Sequence, residues 1–285
     1  MKKILVTGSN GQLGSCLKIK SKEQDTLDFV FLDSKGLDVT NVNQINKVFS
    51  ENNFDYCINC AAYTAVDQAE DESDIAYNIN TLGAKNLAKA SKKFKVILIH
   101  ISTDFVFNGK AETPYKETDT TNPLGVYGST KLQGEHEIQS ILSDYYIIRT
   151  SWLYSEFKNN FVKTMLNLAS KRSELSIVND QKGTPTNAND LSEAIVKVIN
   201  SNKKAFGLYH FSNLGETTWF NFANKIFELT NTKIKLIPVN SSEYVTKALR
   251  PKYSVMDKTK IIDTFDLQVL DWEKSLKNHL NNHGS

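Results

Sequence analysis

Lys3-Ile4-Leu5-Val6-Thr7 runs without interruption into Gly8-Ser9-Asn10-Gly11-Gln12-Leu13-Gly14. The apolar, β-branched run predicts a short strand, and Ser15 to Ile19 resumes with helical spacing. Strand, glycine loop and helix form the context that a dinucleotide-binding turn requires. Gly8 permits the tight turn, Gly11 lets the backbone approach a pyrophosphate, and Gly14 lets the helix pack close to the strand. The helix N-terminus then faces the phosphates. Asn10, Gln12 and Leu13, between the glycines, complete the expected cofactor loop. The fold expected from this start is α/β, a Rossmann-type doubly wound parallel sheet.

The chain beyond the loop alternates strand and helix signals. Phe29 to Leu32 reads as the second strand and ends at Asp33. An acid about 20 residues past such a loop commonly binds the adenosine ribose hydroxyls. That favours NADH, while Lys35 is placed to meet a 2′-phosphate, so either NADPH or NADH remains open. Asp38-Val39-Thr40 opens a helix through Val42, Ile45 and Phe49, with Thr40 as its expected N-cap. Cys57 to Ala62 and Ile97 to Ile101 give two more strands, and Asp74 to Lys92 has the 3.6-residue period of a core helix. Residues 1–150 are therefore expected to form the nucleotide-binding domain. Segments near 176–212 return to it, and 151–285 supply mainly a smaller C-terminal α/β substrate-binding lobe that includes the helix Trp219 to Leu229.

Composition excludes several classes. The 285 residues carry a net charge of +2 with acids and bases interspersed, which argues against nucleic acid or a membrane surface as partner. No apolar stretch approaches a transmembrane length, and the N-terminal apolar run is too short for a signal peptide, so a cytoplasmic location is expected. Cys57 and Cys60 form a Cys-x-x-Cys, but residues three apart on a strand face opposite sides and share neither a metal nor a disulfide readily. Structural burial is the expectation for both. His100, inside a strand, reads as a satisfied core histidine.

The chemistry is carried by Gly125-Val-Tyr-Gly-Ser-Thr-Lys-Leu-Gln-Gly-Glu135. Tyr127 and Lys131 stand one helical turn apart and share a face. An ammonium beside a phenol favours phenolate, so Lys131 is expected to lower the Tyr127 pKa. Ser102 and Thr103 follow the Ile97–Ile101 strand, at the C-terminal edge where an open α/β sheet places its ligands. Alone, Tyr-x-x-x-Lys also describes an ordinary amphipathic helix. Thr103, Tyr127 and Lys131 together resemble the catalytic triad of the extended, sugar-nucleotide branch of the short-chain dehydrogenase/reductase superfamily.

The resemblance sharpens along the chain. Asn59-Cys-Ala-Ala-Tyr-Thr-Ala-Val-Asp-Gln-Ala-Glu70 is similar to the signature of the dTDP-4-dehydrorhamnose reductase family, and Gly8-x-x-Gly11-x-x-Gly14 to the loop of the extended reductases. Ser102-Thr-Asp-Phe-Val-Phe107, Arg149-Thr-Ser-Trp-Leu-Tyr154, Val178 to Thr186 and Arg250-Pro251 also resemble that family, in order and over essentially the whole chain. Phe105 replaces its usual tyrosine. The resemblance implies that Asp38, Val39, Ala62, Tyr63 and Thr64 touch the cofactor, and that Val66 and Asp67 border the sugar pocket. Thr103 and Asp104 also face the substrate, Trp152 gives it a flat wall, and Arg250 suits its diphosphate. Asn80 matches a position where sugar-nucleotide reductases keep an asparagine near the active site. Plainer readings stand beside these: Asp67 as a first-turn helix acid, Trp152 as core, Asn80 as a solvated side chain.

The implied activity is NAD(P)H-dependent reduction of the C4 ketone of dTDP-4-dehydro-L-rhamnose. The alternatives are a reductase or epimerase of another nucleotide sugar, or a non-catalytic regulatory subunit on the same fold, which has no need of the full triad. Some family members dimerise through a magnesium site that uses a glutamate just after the third glycine. Cys16 stands there, and a soft thiol suits magnesium poorly. No metal is expected, and a homodimer is the assembly the resemblance allows.

Overall fold

The computed structural model describes residues 1–283. The first apolar run forms β1 (Lys2–Thr7), and α1 (Gln12–Lys20) follows the glycine loop. Then come β2 (Leu27–Leu32), α2 (Val42–Ser50), β3 (Tyr56–Asn59), α3 (Val66–Ala69), α4 (Ser73–Tyr77) and α5 (Gly83–Phe94). The half ends with β4 (Ile97–Thr103), α6 (Val126–Ile141) and β5 (Tyr145–Thr150).

These strands join β10 (Gly207–His210) in one parallel six-stranded sheet of order β10-β5-β4-β3-β1-β2. Its two faces follow from the two-residue period of a strand. Ile4 and Val6 pack with Leu13 and Leu17 of α1 and with Leu191 and Ile195 of α8 (Ala188–Asn200). Leu5, one residue out of phase, packs with Ile45, Phe49, Leu87 and Ile138 of the opposite helix layer. The same alternation separates Cys57, on the second face, from Cys60, which lies against the first. Both are free thiols.

Beyond β5 the chain builds a smaller lobe. Its elements are β6 (Leu153–Tyr154), α7 (Phe161–Ala169), β7 (Glu174–Val178), β8 (Lys182–Gly183), β9 (Thr186–Asn187), β11 (Thr217–Thr218), α9 (Trp219–Leu229), β12 (Lys235–Val239) and α11 (Trp272–His283), whereas α10 (Thr259–Phe265) packs back on the main sheet, Phe265 lying against Tyr146 and Tyr209. Strand β7 pairs with β12, while β8 and β9 pair with β11 and β6. A separate core of Tyr154, Val162, Phe222, Ile226, Trp272 and Leu276 holds the lobe together. The stretch 178–186 therefore adds no strand to the main sheet; the return is made by α8 and β10.

Two local expectations change. Asn41, not Thr40, caps α2: its side chain accepts from the Gln44 N–H, whereas the Thr40 hydroxyl donates to Asp38. Asn41 is one residue nearer the first helical turn, so its oxygen reaches the open N–H. The single helix expected over Asp74 to Lys92 carries a π-helical insertion at Asn78–Leu82 between α4 and α5. Such insertions re-aim side chains and favour functional sites. Here the insertion contains Asn80, whose amide accepts from Tyr63 N (2.9 Å) and donates to Tyr63 O (3.2 Å) and to Thr130 Oγ1 (3.1 Å). Asn80 is buried, contrary to the solvated reading.

Candidate active site

Helix α6 is set in place by close contacts at its first turns. Gly125 offers no capping side chain, and Glu70 Oε1 accepts from the Val126 N–H at 2.9 Å instead. A carboxylate there also meets the positive end of the helix. A Cβ on Gly128 would lie 2.2 Å from the Phe105 carbonyl oxygen, so only glycine lets the helix approach the turn after β4 this closely. The approach brings Tyr127 edge-on to Phe105, ring centroids 5.6 Å apart, and into a hydrogen bond with Thr103. Thr103 Oγ1 donates in turn to Asp104 Oδ1 at 3.1 Å.

The electrostatics differ from the expectation for Tyr127. Desolvation pushes its phenol up to about 12; Thr103 pulls it down and the Asp104 charge pushes it further up. Lys131 does not lower it, because its amine is committed elsewhere: Nζ donates to the Ile101 carbonyl at 2.6 Å and lies 3.1 Å from His100 Nε2. Burial lowers Lys131 to about 8, against the pull of Glu135 and Cys60. Asp104, buried beside Thr103, rises to about 6 for the same reason, with Ser254 and Thr103 restraining it. Below the site, Glu135 forms a buried ion pair with Arg149 (2.6 Å) and accepts from the Ser102 hydroxyl. That network ties the ends of β4 and β5 to α6.

A cavity of about 500 Å³ joins Thr103, Tyr127 and Lys131 to the glycine loop. Gly11, Gln12, Leu13 and Gly14 line it, as do Ala62, Thr64, Val66, Asp104 and Trp152. Gly8 has φ +61°, and a Cβ there would lie 2.6 Å from Ala61 N; a Cβ on Gly14 would lie 2.6 Å from Ser9 Cα. The loop therefore packs on the chain leaving the neighbouring β3, and α1 starts hard against the loop itself. The N-terminus of α1 has no side-chain cap and opens where an anion would sit. These features fit a dinucleotide pyrophosphate.

Other expected cofactor residues lie outside the cavity lining. Asp33 is held by Asn10 Nδ2 (2.7 Å) and by the backbone N–H groups of Lys35 and Gly36. Asp38 holds the Thr40 turn, Val39 is buried against Gly83, and the Tyr63 hydroxyl donates to Glu72 at 2.6 Å. Sequence reasoning missed Lys158, Asn159 and Asn160, which reach the cavity from the lobe. They sit in a polar loop with no motif of its own. It also missed the Glu70 cap, although the Glu70 side chain closes the quoted Asn59–Glu70 stretch.

A second cavity of about 570 Å³ lies in the lobe, lined by Phe161, Met165, Arg172, Gln181, Trp219 and Arg250 among others. Asp67 does not line either of these two cavities; its carboxylate binds the Arg250 guanidinium at 3.1 and 2.7 Å, which ties α3 to the segment after β12. Trp152, which faces the first cavity, stacks on Trp219, which faces the second.

A parallel six-stranded sheet with this loop and this Thr-Tyr-Lys site defines an oxidoreductase fold of the extended short-chain dehydrogenase/reductase class. The family model for the RmlD substrate binding domain matches residues 1–284. The dTDP-4-dehydrorhamnose reductase of Aggregatibacter actinomycetemcomitans is 38% identical, over 98% of each chain. Crystal structures of the dTDP-4-dehydrorhamnose reductases of Clostridium acetobutylicum and, in complex with NADP, of Bacillus anthracis superpose with TM-scores of 0.95 and 0.94. Each is 42% identical and is covered over its full length by 99% of this chain. The chain belongs to the dTDP-4-dehydrorhamnose reductase family.

Proposed function

We propose that this protein reduces the C4 ketone of dTDP-4-dehydro-L-rhamnose to dTDP-L-rhamnose, with NADPH or NADH as reductant. One observation carries the reading: a single cavity runs from the glycine loop to Thr103, Tyr127 and Lys131. When bound, the reduced nicotinamide supplies the hydride. Gly11, Gln12, Leu13 and Gly14 would hold its pyrophosphate, with Ala62 and Thr64 along the wall and Gly8, Asn10, Asp33, Asp38, Val39 and Tyr63 shaping the surround.

Tyr127 holds the proton that the sugar alkoxide takes up as it forms. At neutral pH its phenol is protonated, since burial pushes it to about 12. Thr103 hydrogen-bonds the same oxygen and so favours the developing charge. Lys131 orients the cofactor ribose. Val66, Asp104 and Trp152 border the sugar, and the lobe cavity with Arg250 takes the nucleotide. Asp67 serves by aiming Arg250, and a guanidinium so aimed suits a diphosphate. The division into a nucleotide-binding domain (1–150 with returning segments near 176–212) and a substrate lobe (mainly 151–285) belongs to this reading. So do a homodimeric assembly and a cytoplasmic location, the latter supported by three free cysteines.

The test is the oxidation of NADPH and of NADH with a panel of 4-keto nucleotide sugars. Turnover confined to the dTDP-4-keto-rhamnose substrate is the expected result. Preference for another nucleotide sugar, or no turnover with any, would overturn it.

A further inference from the structure

After β12 the chain runs along the rim of the lobe. Ala248 is the one buried residue of the described stretch 241–250, while Tyr244, Val245 and Leu249 stand 55, 90 and 66% exposed. Both ends are tied to the lobe. Ser241 donates through its N–H (2.8 Å) and its hydroxyl to Asp180 Oδ1, and the Lys252 carbonyl accepts from the Lys182 N–H at 2.8 Å. The middle reaches the nucleotide-binding half through charged groups. Asp67, in the first turn of α3, accepts from the Ala248 N–H (3.0 Å) and from Arg250, and Asp71, just past α3, pairs with Lys247. Arg250 above all holds the Asp67 carboxyl below the usual carboxylate range.

The Arg250 guanidinium meets Asp67 end-on. Nη1 gives one proton to Asp67 Oδ1 (3.1 Å) and one to the Ala248 carbonyl (3.0 Å), and Nη2 gives one to Asp67 Oδ2 (2.7 Å). A guanidinium carries five N–H groups. Among the described residues none takes the remaining two, on Nε and Nη2. These lie side by side and form a second fork, the geometry that meets two oxygens of a phosphate. Arg250 lines the lobe cavity together with Tyr244 and Thr246 of the same stretch. We propose that residues 241–250 are a strap over that cavity, clasped shut by Asp67–Arg250 and Asp71–Lys247, and that a nucleotide's diphosphate completes the closure on the open fork of Arg250. Lys247 and Asp71 are then positioning residues. The proposal rests on the assignment of the lobe cavity to the nucleotide.

The clasps are weak by themselves. The Lys247 and Asp71 side chains are 53 and 57% exposed and that of Asp67 46%, and ion pairs this open to water are worth little and are screened by salt. A segment with one small buried side chain opens more readily than the core beneath it. An anion on the Arg250 fork adds charge-assisted bonds that exist only while the strap is closed, so it shifts the balance toward closure. The cavity suits such an anion. Glu174, the acid of its lining, is paired with Lys235, which leaves Arg172 and Arg250 to make the cavity basic.

Chymotrypsin cleavage of the native protein after Tyr244, read by mass from the 1–244 and 245–285 fragments, reports the open strap. Asp71→Asn and Lys247→Gln should each speed this cut about threefold at low salt, with melting temperature unchanged. The charge swap Asp71→Lys with Lys247→Asp should restore the parent rate. Both single variants should raise KM for the sugar nucleotide by up to about fivefold while kcat stays within about twofold. Free dTDP should slow the cut; thymidine, which lacks the diphosphate, should not. A cut that ignores both substitutions, a swap that stays fast, or no cut after Tyr244 in any variant overturns the strap. Equal slowing by thymidine, or none by dTDP, overturns the part given to the diphosphate. Turnover confined to another nucleotide sugar would instead sink the function proposed above and leave the strap standing, since cleavage is read without turnover.

Discussion

The indole of Trp152 lies flat on that of Trp219, ring centroids 3.6 Å apart and planes within 9° of parallel. The chain strains to achieve this. Trp152 has φ +46°, and a Cβ on Gly183 would come 2.5 Å from the indole. A large side chain in the left-handed region costs about 1–3 kcal/mol and persists only where its surroundings over-determine it. The stacked pair forms a wall with one cavity on each side. Trp219→Ala should therefore raise the KM for the sugar nucleotide at least tenfold and leave cofactor affinity within about threefold. Steady-state kinetics and a fluorescence titration separate the two effects; equal losses in both would refute the partition.

Tyr127→Phe keeps the ring against Phe105 and removes the proton. Turnover should fall by about 100-fold or more while cofactor binding is retained. Near-normal turnover in this variant would remove Tyr127 from the chemistry.

The glycine loop separates two kinds of loss. A Cβ on Gly11 meets only Gly8 O, at 3.2 Å, whereas a Cβ on Gly14 meets Ser9 backbone at 2.6 Å. Gly11→Val should weaken NADPH binding at least tenfold with little change in melting temperature, and Gly14→Val should unfold the protein at a markedly lower temperature. Unchanged NADPH affinity in Gly11→Val would show that the loop does not meet the cofactor.

Asp104 gives a pH signature. Its carboxyl is raised to about 6 in the folded protein from the ordinary carboxylate value of 3.8. Between these values the folded state holds a proton that the unfolded state has lost, so stability falls as pH rises through the window. Asp104→Asn removes that loss. The variant should gain up to about 3 kcal/mol over the parent above pH 6, with the difference shrinking below pH 4. Melting curves that differ by the same amount at every pH would contradict it.

Cys16 is buried in α1 with its thiol raised by desolvation, and magnesium prefers exposed carboxylate oxygen. Among the described residues no group of three or more His, Cys, Asp and Glu could hold a metal ion. Turnover and sedimentation should be indifferent to EDTA. A dimer that dissociates with chelator, or activity that vanishes, would show a metal site built some other way.

The nucleotide-binding half was legible because its signals are local. The run Lys3–Thr7, the three glycines and the period-2 placement of Leu5 against Ile4 and Val6 each act over a few residues. So did Thr103, Tyr127 and Lys131, which strand end and helix turn deliver to one cavity. What could not be read was where charges point. Turn spacing put Lys131 on the Tyr127 face, yet Ile101 and His100 hold its amine. Asp67 and Arg250, 183 positions apart, meet only through the packing of α3 on the segment after β12. The contribution of Trp219 likewise depends on a lobe whose strands have two to five residues and little pattern.

The sheet is completed late in the chain, and synthesis feels the delay. Strand β5 ends at Thr150, but its outer neighbour β10 spans Gly207–His210, and the helix that covers α1 begins at Ala188. While a ribosome adds the roughly 60 intervening residues, about 3–12 s at 5–20 residues per second, the nascent domain carries an open strand edge and a bare apolar helix face. A nascent-chain holdase has that interval in which to act, and a fragment ending at Thr150 should precipitate where the whole chain stays in solution.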